Sequence, residues 1–423
     1  MLTAYRIVIV VLTAGLRLAA ACGHTKARAA WHGRKGWAKR IQQVVQAARA
    51  QGRTEPWMHI HCASLGEYEQ GAPVLKQWRE RHPDQPILLT FFSPSGIEGV
   101  QESQADHVDY LPFDQPRAMR KWVGALEVSD LILVKYELWP ELIRRYVDSG
   151  TRVHLVAARF DHGRHPMGWM GQWMRRQLGL LTTLQVQDAA SAEVARSSGI
   201  NAEVTGDPRV DQVRKTAQST PPLNTAHALE QIRTWAGGRR LLVVGSAWPP
   251  EWRALADILD GHDQWAVLCA PHDINGRHVD GWSQHPDAVR FSSWNSGEVS
   301  AAMPSSSILI LDRIGILKYA YGLGDLAVVG GGWGQGVHNV LEPAAFGLPV
   351  LFGPAVAGFR EIEALIQCGA ARMCKTPSDL ARCTSDWMME AENRAKAGAQ
   401  AAQWLNTHGG AALRIAKAIE AAR

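Results

Sequence analysis

From Trp57 onward the chain alternates short, wholly apolar runs with longer segments of mixed character. Helical stretches lie between several of the runs, for example over Glu67–Arg81 and Trp139–Ser149. A strand that is buried on both faces reads as a continuous apolar run, so this alternation predicts a parallel sheet covered by helices. The predicted strands of the first half are Trp57–Cys62, Ile87–Phe92, His107–Leu111, Leu131–Val134, Val153–Ala157 and Leu184–Val186.

The polar segment Gln212–Asn224 contains Pro221-Pro222 and interrupts this alternation, which favours a domain boundary. Predicted strands then resume at Arg240–Gly245, Trp265–Ala270, Ser307–Leu311, Leu326–Val329 and Pro349–Phe352, before an alanine-rich helical tail from Pro377. The pattern predicts an α/β chain with two successive doubly wound halves and a cleft between them, in which ligands bind at the carboxyl ends of the strands. We divide it into residues 1–45, 46–215 and 216–423.

The N-terminus carries all of the excess positive charge. Residues 1–50 hold nine Lys or Arg and no Asp or Glu, whereas the whole chain has a net charge of +5, so nucleic-acid binding by the whole chain has little support. Ile7–Gly23 is mostly apolar but slightly short for a spanning helix and is interrupted by Arg17. A membrane anchor or monotopic helix is the main interpretation; a cleaved signal, since Leu18–Cys22 loosely resembles a lipobox, and an ordinary buried helix are the alternatives.

The cysteine spacing and the absence of certain motifs argue against several classes of protein. The six cysteines form no CxxC pair and are interpreted as reduced and mostly structural. His59 and His61 share one face of a strand but lack convincing partners, so we predict no metal site. The absence of a Walker A motif, and of G-x-G-x-x-G after an early strand, argues against a nucleoside triphosphatase or a dehydrogenase.

A glycine-rich stretch from Gly330 to Gly353 follows one predicted strand and precedes another. Glycine backbone allows close approach of a ligand, and helix N-terminal amides attract phosphate. A helix should begin between Asn339 and Pro343 and end near Gly347. The alternative is a capping box in which Asn339 and Glu342 both serve the helix end.

Two acidic residues also follow predicted strand ends. Ser64-Leu65-Gly66-Glu67 comes after the first strand, and Glu137 follows Leu131–Val134. A carboxylate at such a helix start can accept a hydroxyl proton, although Glu67 could simply stabilise its own helix dipole. Three further stretches follow strands, each with a purely structural alternative: Gly206–Asp211, Gly245–Glu251, and Ala270-Pro271-His272.

Taken together, these stretches resemble the 3-deoxy-D-manno-octulosonic acid (Kdo) transferase family. The shared motifs are S-L-G-E (64–67), Y-E-L-W-P (136–140), G-D-P-R-V-D (206–211), G-S-A-W-P-P-E (245–251) and H-N-V-L-E-P-A-A-F-G-L-P-V-L-F-G-P (338–354). The resemblance implies a GT-B fold with two Rossmann-like domains, and an inverting transfer of Kdo from CMP-Kdo to a hydroxyl of the lipid A precursor. It implies action at the cytoplasmic face of the inner membrane, contact with its lipids, and no essential metal or other cofactor.

Carried onto this sequence, the resemblance makes Glu67 the general base and Glu137 the second acid. Ser246 and the glycine loop would meet the donor phosphate, Asn339 and Glu342 would hold the nucleotide, and Arg209 would lie near the donor's negative charge. The full set of expected binding residues is Ser64, Gly66, Arg209, Ser246, Pro271, His272, Gly331, Gly332, His338, Asn339 and Glu342.

One departure and two rivals remain open. Many family members have Pro-Arg-His where this chain has Pro271-His272-Asp273, which leaves the cytosine contacts open. A GT-B enzyme that uses a UDP-sugar, and an inactive membrane-tethered binding protein, are the alternative functions.

Overall fold

The computed structural model describes the whole chain except residues 101–102, 162–170, 259–261, 296–305, 335 and 357–358. The described residues form two compact units, one comprising Met1–Gln212 with Gly409–Arg423 and the other comprising Val213–His408. The boundary between Gln212 and Val213 lies within a helix, three residues before the position at which we divided the sequence.

The first unit contains a seven-stranded sheet in the order β3-β2-β1-β4-β5-β6-β7, and every pair in it is parallel. The first six strands follow the doubly wound order of a dinucleotide-binding fold. The strands are β1 Trp57–Cys62, β2 Ile87–Phe91, β3 His107–Tyr110, β4 Val128–Val134, β5 Arg152–Ala158, β6 Thr183–Val186 and β7 Glu203–Val204.

Among the described residues, ten helices precede, connect or follow these strands. Four of them, α5, α6, α7 and α10, begin with proline, which is pre-organised for the first helical position. Their bounds are α1 Leu2–Ala21, α2 Thr25–Gly33, α3 Trp37–Ala50, α4 Leu65–Arg81, α5 Pro94–Gly99, α6 Pro116–Ala125, α7 Pro140–Asp148, α8 Gly171–Leu178, α9 Ala189–Ser197 and α10 Pro208–Gln218.

The second unit repeats this architecture with a parallel sheet in the order β10-β11-β9-β8-β12-β13-β14. Its strands are β8 Arg240–Ala247, β9 Trp265–Pro271, β10 Ala288–Arg290, β11 Ile308–Ile310, β12 Leu326–Val329, β13 Val350–Phe352 and β14 Ala371–Met373. Its helices are α11 Leu223–Ala236, α12 Pro249–Ile258, α13 Arg277–Trp282, α14 Phe291–Asn295, α15 Leu317–Ala320, α16 Leu341–Ala345, α17 Arg360–Gln367, α18 Pro377–Met389 and α19 Ala391–His408, with a 3₁₀ turn at Tyr321–Leu323.

The last helix, α20 (Ala411–Ala421), belongs to the first unit, although the sequence placed the whole tail with the second half. Its apolar stripe completes the core on one face of the first sheet through Ala412, Ile415, Ala416 and Ile419. Asp211 also accepts backbone hydrogen bonds from Gly410 and, at 2.7 Å, from Ala412 at the start of this helix. Burial of this stripe therefore decides where the tail packs.

Helix α1 contacts the first unit along one side only. Residues 2, 5, 6, 9, 13, 16, 19 and 20 are buried or half-buried, which is the spacing of a single helix face. Tyr5 donates a 2.6 Å hydrogen bond to Asp114, and Arg6 forms a 2.7 Å ion pair with Glu141. Among the described residues, α1 is the one helix long and apolar enough to cross a membrane.

Candidate functional site

In the first unit, the polar stretches that follow β1 and β4 lie at one edge of the sheet. The two strands are parallel neighbours, with His61 in register with Leu133, so their carboxyl ends meet at the same edge. Helix α4 begins directly after β1, and the turn Lys135–Glu137 follows β4. Lys135 has φ of 70°, a left-handed conformation that is uncommon for a residue with a side chain and is enriched at functional sites.

Ser64 and Glu67 contact each other at the start of α4. Ser64 occupies the N-cap position without capping a backbone amide, and its hydroxyl donates instead to the Glu67 carboxylate. Gly66 between them is exposed, and the nearest atom to a side chain built there would be Ser64 Oγ, at 3.8 Å. Glu67 also lies in the first turn, so the dipole role and the catalytic role are compatible.

Glu137 is largely buried, with 14% of its side chain exposed. Its Oε2 accepts a 2.7 Å hydrogen bond from the Trp139 indole nitrogen. Burial raises the pKa of Glu137 to about 7; the Trp139 hydrogen bond opposes this increase, and the charge of Glu67 adds to it. A buried carboxyl group whose ionisation is further disfavoured by a neighbouring charge is typical of acid–base sites.

Arg209, at the start of α10, is held by its own neighbour in the chain. Its guanidinium forms a 2.6 Å ion pair with Asp207, which also accepts its backbone amide at 2.9 Å. Partial loss of solvent raises the pKa of Glu69, and the charges of Arg209 and Lys135 oppose that increase. Arg209 and Lys135 therefore both place positive charge close to the helix that carries Glu67.

In the second unit, the glycines that follow β12 are required by backbone contacts within that unit. A side chain built on Gly330 would lie 2.1 Å from Ser246 O, and one built on Gly332 would lie 2.4 Å from the backbone of Gly353. Ser246 has φ of 52° at the end of β8. The glycines thus let the loops after β8, β12 and β13 approach one another, which is a structural reason for a run that the sequence associated with a ligand.

Glu251, which the sequence left without a separate role, organises this loop. Its side chain is fully buried, and its two oxygens accept backbone hydrogen bonds of 3.0 Å from Trp248 and Gly331. Burial raises the pKa of Glu251, and these backbone amides oppose the increase. The Gly331 amide, expected to face a phosphate, is therefore donated to Glu251. The signal available in the sequence was an acidic residue three positions after Trp248, in the segment that leads from β8 into α12.

Three rings stack at the carboxyl edge of the second sheet. His272, which follows Pro271 at the end of β9, lies between Trp248 and His338, with ring centroids 4.5 Å from each. Burial lowers the pKa of His338, and the neighbouring His272 lowers it further. His272, which stands where many family members have arginine, thus places an aromatic ring in this stack.

Asn339 and Glu342 contact each other at the start of α16, which begins and ends within the predicted limits. Asn339 donates a 3.3 Å hydrogen bond to Glu342 and accepts one of 3.1 Å from the Leu341 amide. Pro343 is the third residue of the helix. The N-cap residue is Val340, which makes no side-chain capping hydrogen bond, so these contacts differ from the capping box that was the alternative.

One further cluster carries possible metal ligands. Cys374, Asp379 and Cys383 place one ligand atom each within 4.8 Å of one another. Burial raises the pKa of both thiols, which disfavours the thiolate that a metal would need. His59 and His61, considered above as ligands, hydrogen-bond to core hydroxyl groups instead.

Comparisons with known proteins agree with this geometry. Residues 30–212 match the family model of the N-terminal domain of 3-deoxy-D-manno-octulosonic-acid transferases, a range that ends where the first unit ends. The curated Kdo transferase of Bordetella pertussis is 28% identical over 398 residues, covering 88% of this chain and 89% of that protein. That of Haemophilus influenzae is 25% identical and covers 84% of each. The chain is therefore similar to Kdo transferases over most of its length.

Because its curated relatives are Kdo transferases, this chain is a glycosyltransferase, as the sequence motifs predicted. Solved structures show the fold. The UDP-GlcNAc 2-epimerase of Neisseria meningitidis superposes with a TM-score of 0.64 at 11% identity, covering 86% of this chain and 99% of that one. The predicted GT-B fold with two Rossmann-like parallel-sheet domains is confirmed.

Proposed function

We propose that this protein transfers Kdo from CMP-Kdo to a hydroxyl group of the lipid A precursor in lipopolysaccharide core biosynthesis. The observation that carries the proposal is the pair of interacting carboxylates, Glu67 and Glu137, at the carboxyl edge of the first sheet. Similarity to curated Kdo transferases supports the substrate class, and the two acids support the chemistry.

In this mechanism Glu67 is the general base. It takes the proton from the acceptor hydroxyl as that oxygen bonds to the anomeric carbon of Kdo, while the bond to the CMP phosphate breaks and its electron pair leaves with CMP. Attack opposite the leaving group inverts the anomeric centre. Glu137 stays protonated more readily than an ordinary glutamate, because burial disfavours its charged form and the nearby charge of Glu67 adds to this.

The donor is proposed to bind at the carboxyl edge of the second sheet. Ser246 and the glycine loop meet the phosphate, the ring stack of His272 and His338 offers a flat surface to the nucleotide, and Asn339 with Glu342 contacts its sugar. That Arg209 meets the donor's negative charge also remains a proposal. We propose that no metal is required, so chelation with EDTA is expected to leave the transfer rate unchanged.

We further propose that α1 attaches the protein to the cytoplasmic face of the inner membrane while lying along the membrane surface. Its docked side runs from Leu2 to Ala20, so the helix would have to leave the first unit in order to span a bilayer. The opposite side exposes Ile7, Val8, Val10, Val11, Leu12 and Leu18, each at least 50% accessible. An apolar side next to basic segments favours binding in the plane of an anionic surface.

The direct test incubates the purified full chain with CMP-Kdo and lipid A precursor in vesicles and weighs the products by mass spectrometry. We expect an acceptor enlarged by whole Kdo units, with release of CMP. A parallel incubation with UDP-GlcNAc tests the UDP-sugar alternative. Turnover of the UDP-sugar without Kdo transfer would contradict the proposal, and donor binding without any turnover would favour an inactive binding protein.

A further inference from the structure

A buried chain of hydrogen bonds ends beneath Glu137. It joins Trp122 of α6, Tyr146 of α7, His59 of β1, Thr90 of β2 and His61 of β1, all at most 1% exposed. Trp122 Nε1 lies 3.1 Å from the Tyr146 hydroxyl, which lies 3.0 Å from His59 Nδ1. Thr90 Oγ1 then lies 2.8 Å from His59 Nε2 and 2.9 Å from His61 Nδ1.

Both imidazoles in this chain are neutral. Burial lowers the pKa of His59 well below its ordinary value, and His61 lowers it further. Burial lowers the pKa of His61 to about 3, the charge of Arg34 adds to this, and the Thr90 backbone opposes it with the smallest of the three effects. Each ring therefore carries a single N–H, so one nitrogen donates and the other accepts.

The direction of the chain is set at its first member, because the Trp122 indole nitrogen can only donate. Tyr146 accepts from Trp122, so the hydrogen of its hydroxyl is directed to His59 Nδ1. His59 must then carry its own hydrogen on Nε2 and donate to Thr90.

The same step repeats at Thr90. Its hydroxyl oxygen accepts from His59, and its hydrogen is directed to His61 Nδ1. His61 is therefore left with its hydrogen on Nε2, at the end of the chain nearest the site.

This terminal N–H points toward the candidate site. His61 Nε2 is buried and has no hydrogen-bond partner among the described residues, while Oε2 of Glu137 lies 3.8 Å away. That separation exceeds a hydrogen bond, but a movement of about 1 Å would close it. A buried donor without an acceptor is costly, so such a movement is favourable. Trp139 already donates to the same oxygen of Glu137.

We infer that the buried chain holds His61 in the tautomer with hydrogen on Nε2, and that His61 thereby positions the Glu137 carboxylate. His61 is a positioning residue: it acts on the second acid, and the functional part of the inference rests on the proposed transfer reaction. If His61 only filled space in the core, the choice of its tautomer would not affect the position of the Glu137 carboxylate.

The tautomer is tested directly by nitrogen NMR of the full chain labelled with ¹⁵N-histidine, with the His61 signals assigned by their loss in His61→Gln. We expect a protonated Nε2 and an unprotonated Nδ1. Thr90→Ser keeps the relaying hydroxyl and is expected to preserve this pattern, whereas Thr90→Val removes it and is expected to produce a mixture of tautomers. A hydrogen on Nδ1 in the unmodified protein would overturn the inference.

The positioning role is tested by two variants that differ in where they place an amide nitrogen. Glutamine at position 61 places its nitrogen near the former Nε2, and asparagine places it near Nδ1. We expect His61→Asn to lower kcat by about tenfold to a hundredfold with the CMP-Kdo KM unchanged. We expect His61→Gln to keep most of the unmodified protein's kcat. Equal losses in both variants, in proportion to lost thermal stability, would show a purely structural role.

These two measurements separate the inference from the proposed function. If the unmodified protein transferred no Kdo, the proposed reaction would fail while the NMR result still decided the tautomer. If transfer occurred and the tautomer were the opposite one, the inference alone would fail.

Discussion

The Trp139 indole nitrogen donates a 2.7 Å hydrogen bond to Glu137, two residues earlier in the chain. The Trp139 ring is stacked on Phe92 with centroids 5.0 Å apart, and it forms a T-shaped pair with the His61 ring, whose centroid is 6.0 Å away. The Y-E-L-W-P motif therefore supplies both an acid and the group that orients it. This hydrogen bond favours the ionised carboxylate, but burial outweighs it and leaves the pKa of Glu137 at about 7.

Removing the proposed base should abolish most of the transfer activity. We expect Glu67→Gln to lower kcat by roughly 10²–10⁴-fold with little change in the KM for CMP-Kdo. The glutamine side chain has nearly the same shape as glutamate but cannot accept the proton of the acceptor hydroxyl. Glu80→Gln on the same helix, whose side chain is 51% exposed, is the matched control and should retain full activity. Near-normal transfer by Glu67→Gln would identify a different base.

Glu137 should make the stability of the protein depend on pH. Its folded-state pKa of about 7 lies above the ordinary value of 4.5, so between these values the folded protein binds more protons than the unfolded chain. Ionising Glu137 in the folded protein therefore lowers the free energy of unfolding as pH rises through this window, and this penalty is absent below it. We expect Glu137→Gln to gain on the order of 3 kcal/mol relative to the unmodified protein between pH 4.5 and pH 8.

Urea unfolding followed by tryptophan fluorescence at both pH values measures this gain, with Glu80→Gln as the control. The same variant should be less active, because stability and activity compete at such a site. An identical stability difference at both pH values would show that Glu137 ionises normally.

Two neighbouring glycines allow a matched test of the loop after β12. Gly332→Ala would bring a methyl group to 2.4 Å from the backbone of Gly353, whereas a methyl at Gly334 would meet nothing within 4 Å. We expect Gly332→Ala to destabilise the second unit by about 1–3 kcal/mol and to weaken CMP binding. Gly334→Ala should change stability by less than about 0.5 kcal/mol. Thermal unfolding measures the stability of both variants, and calorimetric titration with CMP measures their affinity. Equal results for the two variants would contradict the explanation from backbone contact.

Glu251 should be required for the shape of the same loop. Glu251→Ala leaves the Trp248 and Gly331 amides without their acceptor, at a cost of about 1–3 kcal/mol each. We expect a lower Tm and weaker CMP binding, with Glu251→Gln intermediate because it keeps one acceptor oxygen. Glu230→Ala, with 63% of its side chain exposed, is the control. Unchanged CMP affinity in Glu251→Ala would separate this loop from the donor site.

The two sides of α1 should have different functions. A triple change on its exposed side, Val8→Ser, Val11→Ser and Leu18→Ser, is expected to reduce co-sedimentation with anionic vesicles by tenfold or more, on the order of the apolar area lost, without lowering Tm. Tyr5→Phe on the docked side removes the hydrogen bond to Asp114 and should lower stability while leaving vesicle binding intact. Loss of vesicle binding by Tyr5→Phe alone would contradict an in-plane helix that stays docked.

The strands that the sequence predicted are buried along most of their length, except the edge strand His107–Tyr110, of which only the last two residues are buried. Trp57–Cys62 and Leu326–Val329 match their predicted ranges, because a central parallel strand needs an unbroken apolar run. The edge strands Glu203–Val204, Ala288–Arg290 and Ala371–Met373 were not predicted. They have two or three residues each and are partly exposed, so they need no such run.

Candidate site residues were predictable where they follow strand ends, as Glu67 and Glu137 do, since parallel strands bring their carboxyl ends to one edge. The residues that contact these side chains and loops could not be predicted from the sequence. Glu251 and Gly331 are separated by 80 residues, and the histidines of β1 bond to Thr90 and Tyr146, which are far from them in the chain.

Local composition thus sets which segments become strands and helices, and with them the fold class and the positions of the acids, because burial on both faces leaves a mark in the sequence itself. The packing of α20 on the first sheet, the acceptor of each loop amide and the tautomer of His61 depend on contacts between residues far apart in the chain. A single polar or apolar side chain is compatible with many such partners, and the packing of the whole unit selects one.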